Sequence, residues 1–502
     1  MPAAKDIKLY PYKNLAKIFI FVAFLYTAIR AYFLSITHDE AVTYLIHALG
    51  SFSEIFTYAL SHKSNNHLLN ALLVKICIKI FGVSEFAIRI PALLGHALYL
   101  VGIYRLLKLF LKKHHLLLGV SLLVFHPFML DFFSCGRGYS LALGFLILSL
   151  YYLFRRIKEP GSNDINYTLL SLTMLVFSML SVPFLGVFFS IISIFILLEI
   201  KESTVLIKQK KRAMFILSRL FKRILFPATL SIVILAAIYA KGLFELLQAK
   251  EFYYGGVAGF WNDTVISLIK GSLYDRAYFD MDMVLLVKWF IIISLIFLFA
   301  VLLYRSARGQ RFSLIDRYLF CTAALLFISS FNILLWHRFF GIKYPIGRTG
   351  IYFIPIFLIF ILILREGLGS IKRSFVRPLF NTVFYFISIV FLIHFITSFN
   401  FTHYHSWKYD ASTKEMMNFI MDINKGRDLK PGSIQMNIDW IFEPGINFYI
   451  EKNNLTWMRY VQREDFDSRA DYYYFSDRKL VEKHGLKLIK RFKISGSYLA
   501  TL

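Results

Sequence analysis

Apolar runs about as long as a bilayer is thick recur along most of this chain, and no other feature restricts its fold so tightly. A helix needs roughly 20 apolar residues to cross the hydrocarbon core of a membrane. Residues 18–37, 86–107, 116–130, 139–154, 224–241, 284–304, 318–336, 349–364 and 379–399 read as such segments, and two more flank "SVP" at 181–183. In lipid every backbone N–H and C=O must find its partner within the protein, so runs of this length have to be helices. Hydrophobic residues make up 57% of the sequence and aromatic residues 18%, more apolar surface than a soluble domain uses. The expected fold class is an all-α polytopic membrane protein with about eleven transmembrane helices. The first run has no small-residue cleavage site behind it and is expected to stay as the first span.

The net charge of +26 is distributed in a way that points away from nucleic acid. Lys and Arg gather in short segments between the apolar runs, at 105–113, 155–158, 201–223, 305–317 and 365–377, as the positive-inside rule expects of cytoplasmic loops. With Lys5, Lys8, Lys13 and Lys17 ahead of the first run, the N-terminus is expected inside and the C-terminus outside. The segments 38–84 and 242–283 then lie outside. Within the first, "HLLNALLVKICIKIFG" (67–82) is short for a span and carries Lys75 and Lys79. It reads as a juxtamembrane amphipathic helix, with Asn65 in its N-cap region. The tail turns polar: "STKEMMNFIMDINKG" reads as a helix, and "SIQMNIDW", "INFYIE", "DYYYFS" and "LKLIKRF" read as strands. The expected division is a membrane domain, 1–399, and a small extracytoplasmic α/β domain, 400–502. Cys77, Cys135 and Cys321 are too few and too scattered for a disulfide framework or a metal cluster.

Acids are nearly absent from the spans. Ion-coupled transporters keep carboxylates at mid-membrane depth, where protons or sodium must bind. Here the candidates sit at external helix ends: Asp39 and Glu40 in "THDEAVTY", and Asp131 opening the turn "DFFSCGRGYS", which also holds Arg137. One external segment breaks the charge rule. "WHRFFGIKYPIGRTGIYFIP" (336–355) carries Arg338, Lys343 and Arg348 with Tyr344 and no acid. Cations kept on the wrong side need a local anion, and a phosphate at the membrane surface fits, because the arginine fork binds its oxygens in pairs. External acids, an external basic group and an amphipathic helix between the first two spans suit glycosyl transfer from a lipid phosphate: the base takes the acceptor's proton and the cations stabilise the leaving phosphate.

The same residues resemble the GT-C superfamily of polyprenyl-phosphate-sugar glycosyltransferases, in particular bacterial relatives of the protein O-mannosyltransferases and lipid A aminoarabinose transferases. "HDEAVTY" is similar to that family's acidic motif after the first span. "NNHLLNALLVKICIKIFGVSEFAIRIPALL", "HPFMLDFFSCGRGYSLAL" and "YPIGRTGIYFIP" resemble later motifs, with the strongest likeness over 18–155. The resemblance implies Asp39 as catalytic base with Glu40 beside it, and Asp131 and Arg137 in the same site. It implies Arg348 and Tyr344 as lipid-phosphate contacts, with Arg338 and Lys343 in the same segment. Asn66 and His67 stand where many members have a polar or basic residue followed by Pro-Pro. The implied reaction is an inverting transfer at the extracytoplasmic face of the plasma membrane. A polyprenyl-phosphate-linked sugar is the donor, and a glycan, lipid or protein the acceptor. The superfamily leaves room for a divalent metal, but Asp39 and Asp131 alone make a weak metal signal, and none is expected from them. An oligosaccharide polymerase or ligase acting on diphosphate carriers would also use the basic segment. A lipid-carrier flippase would explain the spans but not the external acids or the tail.

Overall fold

The computed structural model describes residues 10–57, 66–160, 162, 164–208, 213–248, 254–274, 276, 281–307, 312–368, 376–464 and 466–502. Asn65 lies outside them. Among the described residues eight helices are long and apolar enough to cross a membrane, from Pro11–Phe33 to Pro378–Ser398. A ninth forms if Lys113–Val124 and Pro127–Ser134, bent by 60° at their junction, count as one span. The bend falls at "FHP", where Pro127 lacks an N–H and its ring disfavours helix for the residue before it. The two other expected spans are helices of 15 and 16 residues, Asp164–Ser178 and Phe353–Leu368.

The chain divides into two compact units. The first comprises Met1–Leu25, Leu94–Leu130 and Gly138–Phe399 and consists of apolar helices with short connections. The second comprises Tyr26–Leu93, Asp131–Arg137 and Asn400–Leu502. The expected boundary before residue 400 is one edge of this division, but the tail shares its unit with two earlier stretches. Its core mixes Ile36, Tyr44, Val74 and Ile88 from the stretch Tyr26–Leu93 with Met416, Phe448, Tyr474 and Leu499 from the tail.

The tail carries a four-stranded sheet in the order β1-β2-β4-β3, with β1 Met436–Ile438, β2 Tyr472–Phe475, β3 Lys487–Arg491 and β4 Tyr498–Thr501. β2 is buried on both faces: Tyr472 and Tyr474 join the larger core, Tyr473 and Phe475 a smaller one with Val481 and Leu486. "INFYIE", expected as a strand, is part of the helix Glu443–Lys452. The reason is topological. β1 and β2 are parallel neighbours, and parallel strands need a crossover, which this helix helps make. Pro444 in its first turn and burial from Pro444 to Ile450 complete the change.

Two local findings refine the external segments. The expected turn at 131–140 is helical as far as Ser134, so Asp131 stands on a helix. The amphipathic segment forms the helix Leu68–Phe81, but Lys75 is buried. Its ammonium donates to the carbonyls of Ala48, at 3.0 Å, and Gly50, capping the π-helix Thr43–Ala48.

Candidate active site

Asp39 and Glu40 stand on a five-residue helix, His38–Val42. "THDE" builds a capping box. The Glu40 N–H donates to the Thr37 hydroxyl at 3.3 Å, and the Thr37 N–H donates to the Glu40 carboxylate at 2.9 Å. Arg89 then takes both Glu40 oxygens, its Nε and Nη2 each 2.7 Å away, and the Gly136 N–H donates at 2.5 Å. Both side chains of this pair are 0% exposed. Burial pushes the Glu40 carboxyl up, yet Arg89 and the two N–H groups hold it below its ordinary value. Arg89 also donates to the carbonyls of Ala31, Leu34 and Ser35, at 3.1, 2.8 and 2.7 Å, around the end of the helix Tyr10–Phe33. A Cβ on Gly136 would lie 2.8 Å from Ile88 and 3.2 Å from Glu40, so only glycine lets this loop reach the carboxylate.

Asp39 is held differently. Arg137 lies 3.8 Å from Oδ2, and the Asp39 side chain keeps 12% exposure. Arg137 donates to the Asp39 carbonyl at 3.4 Å, the Thr43 hydroxyl at 3.2 Å and His67 Nε2 at 2.9 Å. A guanidinium only donates, so His67 accepts through Nε2 and carries its proton on Nδ1. Asn66 donates to the Ile55 carbonyl at 3.1 Å, and Asn70 to that of Gly136 at 3.0 Å.

Asp131 makes a third arrangement. Arg30 lies 2.7 Å from Oδ1, and the His405 N–H donates to Oδ2 at 2.8 Å. Arg30 also donates to the His403 carbonyl at 2.7 Å. The Tyr404 ring lies between Arg30 and Arg89, 5.0 and 5.3 Å from their guanidinium carbons, and its hydroxyl donates to the Ser134 carbonyl at 2.7 Å. Asp39, Glu40, Asp131, Arg137, His67 and Asn66 thus belong to one unit, with Asp131 joined to Glu40 through Arg30, Tyr404 and Arg89.

Sequence reasoning missed four contributors. Arg30 and Arg89 left one signal: a cation inside an apolar run has to find a partner. The tail's share left none. Asp410 accepts the His38 N–H at 2.6 Å through Oδ2. Burial pushes its carboxyl well above the usual carboxylate range; the His38 N–H opposes this, and the charges of Asp39 and Glu40 add to it. Tyr404 is the other tail contributor.

Arg338, Lys343, Tyr344 and Arg348 belong to the other unit. Arg338 is exposed, and Lys343 and Arg348 are half-buried. Tyr344 exchanges backbone hydrogen bonds with Gly256 at 2.8 and 2.9 Å and stacks on His337. The Arg348 guanidinium lies over the Tyr254 ring at 5.4 Å, and the Gly347 N–H donates to Ser267 at 2.8 Å. This basic segment is therefore tied to 254–267, a pairing the sequence did not show. At Gly255, φ is +144° and a Cβ would lie 2.6 Å from that of Lys343. The same unit holds an apolar cavity of about 710 Å³, lined by His126, Phe260, Trp261, Phe327 and Phe391 among others. Among the described residues no group of three or more His, Cys, Asp or Glu is placed to hold a metal ion.

A family model described as dolichyl-phosphate-mannose-protein mannosyltransferase matches residues 65–221. Two crystal structures of ArnT from Cupriavidus metallidurans, one in the apo state and one bound to undecaprenyl phosphate, are similar to this chain. Each is 10% identical and covers 96% of this chain and 97% of its own, with TM-scores of 0.51 and 0.52. No curated protein sequence matches at a significant level. The fold is shared over almost the whole length, and the family pattern covers the stretch that supplies His67, Arg89, Asp131 and Arg137.

Proposed function

We propose that this protein moves a monosaccharide from a polyprenyl-phosphate carrier to an acceptor at the extracytoplasmic face of the plasma membrane, with Asp39 as the base. One observation carries the assignment. Glu40 and Asp131 each have an arginine at 2.7 Å and side-chain exposures of 0% and 2%, whereas the Asp39 side chain keeps 12% exposure. A base needs access to the proton it takes. Glu40 and Asp131, expected from the sequence to share the chemistry, are better suited to hold the Asp39 helix and the second external loop in place.

In the proposed step the acceptor's hydroxyl or amine passes its proton to Asp39 and attacks the anomeric carbon. The bond from that carbon to the phosphate oxygen breaks on the opposite face, so the configuration inverts and polyprenyl phosphate leaves. Arg338, Lys343, Arg348 and Tyr344 are proposed to take the phosphate, on the charge and aromatic content of their segment. The apolar cavity lined by Phe260 and Phe391 is proposed to take the prenyl chain. Arg137, His67 and Asn66 are proposed to position Asp39 and the sugar. The undecaprenyl phosphate bound to one ArnT structure supports a carrier of this kind.

The test is turnover of radiolabelled polyprenyl-phosphate sugars by purified protein in lipid, with a membrane extract as the acceptor source. Asp39→Asn is expected to lower transfer by roughly 10²–10⁴-fold without unfolding the protein. Equal transfer by wild type and variant would remove Asp39 as the base. Carrier binding or movement without transfer would favour the flippase or the diphosphate-carrier enzyme.

A further inference from the structure

Next to Asp39 the tail presents groups that the proposed base and its supports leave unused. His38 is pinned twice. Its N–H donates to Asp410, and its ring Nδ1 lies 2.8 Å from the Ile441 carbonyl. A carbonyl only accepts, so Nδ1 carries the proton and the neutral ring keeps its lone pair on Nε2. Among the described residues nothing hydrogen-bonds to that nitrogen. Burial favours the neutral ring, lowering its pKa against the Ile441 hydrogen bond and the Asp39 charge.

The His38 ring stands nearly perpendicular to Trp440, with centroids 5.9 Å apart. Trp440 is 59% exposed, although it opens the short helix Trp440–Phe442, whose Phe442 is fully buried. The Arg463 guanidinium lies over the indole at 5.4 Å and pairs with the Glu443 carboxylate. The indole is therefore fixed by neighbours on two sides while most of its surface faces water. Trp is enriched among the residues that carry most of the energy at recognition surfaces.

A flat apolar face bordered by a guanidinium, a carboxylate and an imidazole acceptor matches one ligand chemistry well. A pyranose ring has an apolar C–H face for the indole and equatorial hydroxyls that donate and accept around its edge. We infer that His38, Trp440 and Arg463 form the acceptor subsite, and that the acceptor is a saccharide whose ring lies on Trp440. The inference rests on the proposed transfer reaction and adds the acceptor's chemical class. His38 immediately precedes Asp39 on the helix His38–Val42.

The full-length protein in lipid would be given a polyprenyl-phosphate hexose and two kinds of acceptor. One is a panel of methyl pyranosides and β-linked disaccharides of glucose, galactose, mannose and N-acetylglucosamine. The other is a Ser/Thr-rich peptide. Saturable transfer to at least one saccharide is expected. Trp440→Ala should raise the KM for that saccharide roughly tenfold while the donor KM stays within about twofold. His38→Asn keeps a donor for the Ile441 carbonyl but lacks Nε2, and should act in the same direction. Three results would overturn the inference: a saccharide KM unmoved in both variants, equal rises in donor and acceptor KM, or transfer to the peptide alone. If the wild type consumes no donor, the transfer reading itself fails. The subsite is then read from calorimetric binding of the same saccharides: binding weakened in Trp440→Ala upholds it, and no binding by the wild type overturns it.

Discussion

Adjacent residues, Asp39 and Glu40, share one helix and meet opposite environments. Glu40→Gln would leave Arg89 buried without its counter-charge, which typically costs about 3–5 kcal/mol. Asp39→Asn should move the melting temperature less, since the Asp39 side chain keeps 12% exposure. Thermal melts of both variants, set beside their transfer rates, separate the two roles. The carboxyls also differ in pH response. Glu40 has a lowered folded pKa, so its stabilisation is present above the unfolded value and is lost as pH falls through the folded value, in the acid range. Asp410 has a raised folded pKa, so its contribution is complete at low pH and is lost as pH rises through the folded value. Asp410→Asn removes that dependence. The stability of the variant relative to wild type should therefore climb as pH is raised from 5 to 9, as read by denaturant titration. A difference that stays flat across that range would mean the carboxyl is ionised throughout.

Among the elements, the helix Glu443–Lys452 shows how a local pattern misleads. In "INFYIE" apolar and polar positions alternate closely enough to suggest a strand, and a helix buried along most of its length has no polar stripe to correct that impression. What decides is the parallel pairing of β1 with β2, a relation between residues some 35 positions apart along the chain. The helix then delivers Tyr449, whose hydroxyl accepts the Ile36 N–H at 3.0 Å and donates to Glu85 at 3.1 Å. Lys414 and Lys452 close on the same Glu85 carboxylate. Tyr449→Phe should cost about 1–3 kcal/mol by leaving the buried Ile36 N–H without that acceptor. Faster amide exchange at Ile36, ahead of any change in the membrane helices, would show it. Gly255→Ala tests the other unit: its Cβ would meet Lys343, so the basic segment has to shift and the donor KM should rise.

For the whole molecule, the tail is part of the fold that holds the proposed base. His403 and His405 supply backbone groups to Arg30 and Asp131, Tyr404 lies between Arg30 and Arg89, and Met416, Phe448 and Leu499 fill the core around Ile36 and Tyr44. Deleting residues 400–502 should therefore strand buried arginines and open that core. The shortened protein is expected to aggregate on size-exclusion chromatography under conditions in which the full chain runs as a single peak. A monodisperse truncated protein would show that the first external segment folds alone.

The sequence by itself determined the membrane class, the helices that could span, the short amphipathic helix and the stretch where the acids would lie. Hydropathy and charge are properties of consecutive residues, and a bilayer reads them in chain order. Only the tertiary structure decided which acid keeps part of its side chain exposed. That depends on which distant groups the fold brings together, and Arg89 reaches the Glu40 carboxylate across 49 positions, Arg137 the Asp39 carbonyl across 98, and Asp410 the His38 N–H across 372. Electrostatic pairing acts through space at a few ångströms, and no local pattern records which distant residues the fold will bring that close.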